Sequence, residues 1–287
     1  MKSLILLFFL ISYITNGFCD DNITTDNTDK LSPSPVTNNT MTVMTLNSAH
    51  GRKNSFHQIF LGKEKIQNNL NAIVGVINRE KPHVVALQET DGASFWSGRF
   101  NHVEYMANKT DLNNFYQGYH VDGFGLHYGS ALLSKEKQTN AISQTFNNHS
   151  IISLTKGFVL TTTPWPNKNK LNVDIVSIHL DFLLDSVRHK QLKQLVDVIN
   201  RRDNPVIIMG DLNTESNSKA INFLVTELNL SLFLSDQDRL ITYHRFNKRL
   251  DWILISEEME FVSYKVISDE LSDHNATVAE IKINITE

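Results

Sequence analysis

Four consecutive apolar residues, Val206 to Met209, stop at Gly210 and lead directly into Asp211-Leu212-Asn213-Thr214. A strand with one wet face alternates apolar and polar residues. An unbroken apolar run therefore implies burial on both faces, as in a sheet covered by other layers. Along an extended chain, residues two apart point the same way, so Asp211 and Asn213 can face one point in space. That point lies at the carboxyl end of a buried strand, where α/β sheets place their ligands. Gly, Asp and Asn are also the commonest turn formers, so a plain turn accounts equally well for these residues taken alone.

The same alternation of elements runs through the chain. Strands are predicted at Met41–Leu46, Val84–Leu87, Ala131–Leu133, Phe158–Thr162, Val173–Ile178, Leu250–Ile255, Tyr264–Ile267 and Thr277–Ile283. Between Lys63 and Arg79, Ile66, Leu70, Ile73, Val74 and Ile77 form one helical stripe, and Pro82 stops it. Val187, Leu192, Leu195 and Ile199 mark a second amphipathic helix, and residues 220–228 a third. The Gly- and aromatic-rich stretch Asp91–Tyr128 reads as irregular surface loops. Mixed strands with a few helices predict two packed sheets with helices outside, in one domain.

The first 19 residues have the layout of a cleavable secretory signal: Lys2, an apolar run from Leu4 to Ile14, then small and polar residues. That run is short for a membrane span, so secretion or periplasmic export is favoured over an uncleaved anchor. Residues 20–40 are polar, with two prolines, and read as a disordered leader before a domain at 41–287. Cys19 is the only cysteine, which excludes an intramolecular disulfide and a cysteine zinc site. A formal net charge of −4, one unit more acidic after signal removal, gives no general attraction to polyanions.

Polar residues recur at strand ends: Asn47, Glu89, His179, Asp211 with Asn213, Asp251 at the start of a strand, and Asp273-His274 before the last one. Each has an ordinary reading: a turn for Asn47, a cap for Glu89, a hydrogen-bonded core histidine for His179, a salt bridge to Arg245 or Arg249 for Asp251. Their joint placement is harder to dismiss. Oxygen ligands such as Asn47, Glu89 and Asp273 suit Mg²⁺, with Mn²⁺ as a substitute. Two histidines beside such an ion suit phosphoryl chemistry, one activating water and one donating to an oxygen of the phosphate.

The ordered blocks Leu-Asn, Leu-Gln-Glu, Ser-Ile-His-Leu, Gly-Asp-Leu-Asn, Arg-Leu-Asp-Trp-Ile-Leu and Ser-Asp-His resemble the endonuclease/exonuclease/phosphatase superfamily, from about Met41 to Ile283. The resemblance implies an α/β (α+β) fold, a four-layer sandwich of two packed mixed β-sheets flanked by helices, and Mg²⁺-dependent hydrolysis of phosphoesters. It makes Glu89 the principal metal ligand, helped by Asn47 and Asp273. Asp251 would orient His274, Asp211 and Asn213 would position the attacking water, and His179 would bind the scissile phosphate. Either Asp211 or His274 would take the water's proton. Many members use a further mid-chain residue, for which Tyr128, Asp122 and Glu104 are candidates.

Subfamily motifs point in different directions. The Trp-Cys-Asp-Arg block of the inositol 5-phosphatases is missing, and Lys248-Arg249-Leu250-Asp251-Trp252 stands in its place. The chain resembles exported members of the superfamily, and the expected substrate is a phospholipid head group or small phosphodiester. A secreted nuclease acting on DNA or RNA is the alternative, and a catalytically silent binding protein the alternative from another class. No obligate protein partner is expected, and a monomer is. The basic residues Arg52, Lys53, Arg188, Lys190, Arg245 and Lys248 are candidate phosphate contacts or solvated rim. Of seven Asn-x-Ser/Thr sequons, the one at Asn275 adjoins His274, where a glycan would block the site.

Overall fold

The strands expected between Met41 and Ile283 fall into two sheets of six. A computed structural model describes residues 39–150, 153–168, 170–235 and 240–284. The segments read as signal peptide (1–19) and most of the leader (20–40) lie outside the described residues. In chain order the first half comprises β1 (Thr40–Asn47), α1 (Lys63–Glu80), β2 (Val84–Asp91), α2 (His102–Ala107), β3 (Asn114–Gly123), β4 (Leu126–Ser134) and β5 (Thr139–Thr145). The second half comprises β6 (Gly157–Pro164), β7 (Asn172–His179), α3 (Asp185–Ile199), β8 (Val206–Asp211), α4 (Lys219–Leu228), β9 (Leu230–Leu232), β10 (Asp251–Ser256), β11 (Met259–Val266) and β12 (Thr277–Ile283).

One six-stranded sheet has the order β11-β12-β1-β2-β4-β3, the other β5-β6-β7-β8-β10-β9. Each contains a single parallel pair, joined through a helix: β1-α1-β2, and β7-α3-β8. The remaining neighbours are antiparallel. Three apolar layers hold the sandwich together. Val43, Val84, Ile207, Met209 and Ile253 fill the space between the sheets. Met44, Leu46 and Leu87 pack under the α1 stripe of Ile66, Leu70, Ile73 and Ile77. Ile208 packs under Leu192 and Leu195 of α3 and Ile221 and Leu224 of α4. Successive residues of β8 thus enter different layers, which is why its run is apolar without interruption. Full burial of each such side chain contributes roughly 1.5–3 kcal/mol. α1 ends where Lys81 turns left-handed and returns its N–H to Ile77, before a proline that cannot extend the helix.

The stretch Asp91–Tyr128 departs from the expectation of irregular loops: it holds α2, all of β3 and the start of β4. β3 is an edge strand, mostly half-buried, so its pattern carries little apolar contrast. The polar edge strand β5 escapes the pattern for the same reason. β1 opens at Thr40, one residue inside the segment read as leader.

Strand direction gathers the polar strand ends. The carboxyl ends of β1, β2, β7 and β8 fall at one end of the sandwich. β10 runs back beside β8 with Asp251 opposite Asp211, and β12 beside β1 with Thr277 opposite Thr45. The beginnings of β10 and β12 therefore share that end.

Candidate active site

Glu89 reaches this end through a bulge. The β2–β4 register passes from Leu87 opposite Ala131 to Thr90 opposite Gly129, so Gln88 and Glu89 together face Ser130. Strict alternation would send Glu89 to the helix-covered face with Leu87. Instead Glu89 takes a φ of 48°, while the Gln88 side chain donates across to Ser177 Oγ of the other sheet at 3.0 Å. Asp211 depends on the glycine before it: a Cβ on Gly210, at φ +146°, would stand 2.0 Å from the Ile178 carbonyl oxygen. Asp211 and Asn213 do converge, but not by strand alternation. β8 ends at Asp211, Leu212 drops into the core, and Asn213 turns left-handed at φ 50°. The Asn213 N–H donates to Asp211 Oδ1 and its Nδ2 to the Leu180 carbonyl, both at 3.0 Å.

Asp211 Oδ2 is the meeting point of the two sheets. It accepts from Asn47 Nδ2 at 3.0 Å and has His179 Nε2 at 3.4 Å and His274 Nε2 at 3.8 Å. Burial, reinforced by the Asp251 charge, pushes the Asp211 carboxyl up despite the opposing His274, Asn47 and Asn213. Behind it, His274 Nδ1 lies 2.8 Å from Asp251 Oδ2, and the Thr242 hydroxyl accepts the Leu250 and Asp251 N–H groups. Burial would lower the His274 pKa. Asp251, Asp211 and Asp273 outweigh it and raise the value to about 10, so this imidazole is held as a cation.

His179 is its opposite. Burial and then Lys156 push it well below the usual histidine range. Lys156 Nζ stands 3.3 Å from His179 Nδ1, and an ammonium can only donate. Nδ1 is therefore the acceptor, and the neutral ring carries its proton on Nε2, facing Asp211. Glu89 is ringed by nitrogen: Lys156 Nζ at 3.5 Å, His50 Nε2 at 3.6 Å and His179 Nε2 at 3.9 Å. Burial would raise its pKa, but Lys156, His50 and His179 hold it far below the usual carboxylate range.

A cleft of about 530 Å³ gathers Asn47, Glu89, His179, Asp211, Asn213, Asp273 and His274, with Asp251 behind the last. All eight residues singled out from the sequence thus come together. Asp273 differs in partner: its carboxylate is engaged by Arg52. Of the mid-chain candidates, Asp122 pairs with His127 and Glu104 is exposed on α2, while Tyr128 packs against His50 with ring centroids 4.8 Å apart. Of the basic residues, Arg52 and Lys248 line the cleft, the latter paired with Glu215, and Arg188 is buried against Asp181 and Asp185. Asn275 is buried, donating to the Ile241 carbonyl and accepting from His244, so the folded chain offers no glycan acceptor there.

Sequence reasoning missed His50, Asp91, Lys156 and Tyr243. Tyr243 lines the cleft and packs on the His274 ring at 4.7 Å. Asp91 stands two residues beyond Glu89 and His50 three beyond Asn47, a spacing that could have drawn attention. Lys156 precedes a strand in an undistinguished loop and gave no signal.

A divalent ion fits this end of the sandwich on its donor chemistry. Glu89 is held as an anion whose neighbours stand at or beyond the limit of a hydrogen bond, and among the described residues the amide oxygen of Asn47 accepts only the Ala49 N–H. Asp211, Asp251 and His274 also place ligand-type atoms within 4.8 Å of one another. There, however, the shortest contact is the His274–Asp251 hydrogen bond, so that group reads first as a charge-bearing dyad.

The sequence profile of the Endonuclease/Exonuclease/phosphatase family matches residues 44–274. No curated protein sequence matches the chain. Among solved structures, an endonuclease/exonuclease/phosphatase from Beutenbergia cavernae is similar over 85% of this chain and 72% of its own, at 17% identity and a TM-score of 0.68. The human Nocturnin catalytic domain with bound sulfate anion is similar over 85% and 94%, at 18% identity and 0.62. Sphingomyelinase C from Streptomyces griseocarneus is similar over 84% and 99%, at 16% identity and 0.60. At these identities the likeness is one of fold.

Proposed function

Because the chain belongs to the endonuclease/exonuclease/phosphatase family, whose members are generally phosphoester hydrolases, we propose that it is an exported, Mg²⁺- or Mn²⁺-dependent phosphodiesterase acting on a compact head group presented by lipid. Glu89 and Asn47 would hold the ion, which when bound supplies positive charge to the phosphate oxygens. Asp273 would join them only by releasing Arg52. The His179 Nε2–H donates to a non-bridging oxygen. Asp211, with its carboxyl pushed up, takes the proton of a water oriented with the help of Asn213. The His274 cation, held by Asp251, balances the charge that grows on the phosphoryl group during in-line attack.

The observation that carries the substrate class is the rim. Phe182 and Phe246 line the cleft yet remain 48% and 64% exposed, and Leu183 and Leu184 beside them are 40% and 49% exposed. Asp181 pins this apolar edge by accepting the N–H groups of Leu183 and Leu184. The cleft's outer cations Arg52 and Lys248 are already paired with carboxylates. Tight duplex binding needs several phosphate contacts, which such a rim does not offer. An apolar edge beside a polar cleft suits a lipid surface instead.

The test is kcat/KM for supercoiled plasmid, a phosphodiester lipid in vesicles, and its soluble short-chain analogue, at two salt concentrations and with EDTA. Vesicle turnover should be fastest, and Leu183→Ser/Leu184→Ser should cut it about tenfold while sparing the soluble analogue. Fast, salt-sensitive plasmid nicking without lipid turnover establishes the nuclease reading instead. No turnover of any of the three, with ion present, favours a silent binding protein. Export, expected from the first 19 residues, is checked by fractionation and the mass of the mature N-terminus.

A further inference from the structure

The hydrolytic scheme leaves His50 without a role, although it is buried, held on a rare backbone and aimed at Glu89. Its Nδ1 lies 2.7 Å from Asp91 Oδ1, and a carboxylate only accepts, so Nδ1 carries the ring proton. The other Asp91 oxygen accepts from Trp96 Nε1 at 2.7 Å and from the Ser97 hydroxyl, and the carboxylate is fully buried. Trp96 and Tyr128 pack edge-on against the imidazole, with centroids 5.1 and 4.8 Å away. The ring therefore has one orientation, with Nε2 directed at Glu89 Oε2. That separation is 3.6 Å, too long for a hydrogen bond. Two ligands of one small divalent ion, with bonds of about 2.1 Å, stand roughly 3.0–3.4 Å apart. A movement of a few tenths of an ångström would bring both atoms onto a common ion.

The backbone points the same way. Ala49, His50 and Gly51 have consecutive φ values of 44°, 55° and 69°, and Glu89 has 48°. Non-glycine residues adopt this region at a cost and persist in it where the surroundings demand it. Here the two strained side chains face each other. A histidine whose second nitrogen donates to a carboxylate is also the usual arrangement of a metal-bound imidazole.

We propose that His50 Nε2 is a nitrogen ligand of the ion held by Glu89, with Asp91 as the residue that positions it. This rests on the metal-dependent function proposed for the cleft. It goes further in assigning a mixed nitrogen–oxygen site, which favours Mn²⁺ or another first-row ion over Mg²⁺, since imidazole binds those ions far better than it binds Mg²⁺.

The experiment measures binding and not turnover. Mn²⁺ and Mg²⁺ affinities of the purified full domain are obtained by calorimetry, and ¹⁴N coupling to bound Mn²⁺ by pulsed electron paramagnetic resonance. Wild type should bind Mn²⁺ roughly tenfold or more tightly than Mg²⁺ and show imidazole coupling. His50→Ala and His50→Gln should abolish the coupling and weaken Mn²⁺ at least about tenfold, while Mg²⁺ changes less than about threefold. Asp91→Asn should weaken Mn²⁺ by about 10–100-fold. The glutamine variant, read together with its circular dichroism melt, separates ligand loss from misfolding. Coupling that survives in both His50 variants, or is absent from Mn²⁺-loaded wild type, overturns the inference alone. A wild-type protein that binds neither ion overturns the metal-dependent reading with it.

Discussion

Replacing Asp251 by asparagine removes one charge and almost no volume from the centre of the site. Asp251 is fully buried, its Oδ2 is 2.8 Å from His274 Nδ1, and its Oδ1 has no hydrogen-bond partner among the described residues. The asparagine can turn its amide oxygen to the same Nδ1–H and leave its NH₂ where Oδ1 stood, so the ring keeps its orientation. What is lost is the difference between a charge-assisted bond, about 1.5–3 kcal/mol, and a neutral one, about 0.5–1.5 kcal/mol. A difference of about 1–2 kcal/mol is roughly 5–30-fold in rate. It also lowers His274 from about 10 by on the order of one pH unit. His274 acts as a cation, so activity should fall as pH rises through its pKa, and Asp251→Asn should move that alkaline limb downward by about one unit. His274→Ala should cost about 10²–10⁴. Asp251→Asn should cost roughly 5–30-fold, and the double variant little more than His274→Ala alone. Initial rates on a soluble phosphodiester between about pH 6 and 10 measure all three. Additive losses, or an alkaline limb that does not move, would refute the idea that the pair acts as one unit.

Three further outcomes are expected. Glu89→Gln should reduce turnover by about three orders of magnitude with an unchanged far-ultraviolet dichroism spectrum, and EDTA should do the same to wild type; full activity in either condition removes the metal from the mechanism. Asp181→Ala, losing acceptors for Leu183, Leu184 and Ser150, should cost about 1–2 kcal/mol and lower Tm by a few degrees. Burial opposes ionisation of Asp181, but its donors prevail and hold the carboxyl below its ordinary range. The stability gap between wild type and Asp181→Ala should therefore be complete above about pH 4 and shrink as pH falls further. Gly210→Ala, which drives a Cβ into the Ile178 carbonyl, should destabilise by about 3 kcal/mol or more; an unchanged Tm would show that the β7–β8 contact yields easily.

Much of this protein was determined by local pattern. The α1 stripe, the unbroken run of β8 and the bounds of β12 follow from side-chain periodicity, because burial on one face or two dictates which positions can be polar. The polar residues at strand ends were legible for a related reason: apolar strands leave functional groups only where the strand stops. Edge strands β3 and β5 were not legible, since a half-exposed strand has no strong contrast to read. The tertiary structure alone decided how those ends combine. One parallel pair per sheet, with β10 and β12 running back beside them, gathers the polar strand ends at one end of each sheet, and the packing of the two sheets joins them through Asn47 and Asp211. The bulge at Glu89, the left-handed turn at Asn213 and the pairings of Lys156 with His179 and His50 with Asp91 depend on register and contact across many residues. Periodicity describes a chain's neighbours along itself. These features arise from neighbours that only packing supplies.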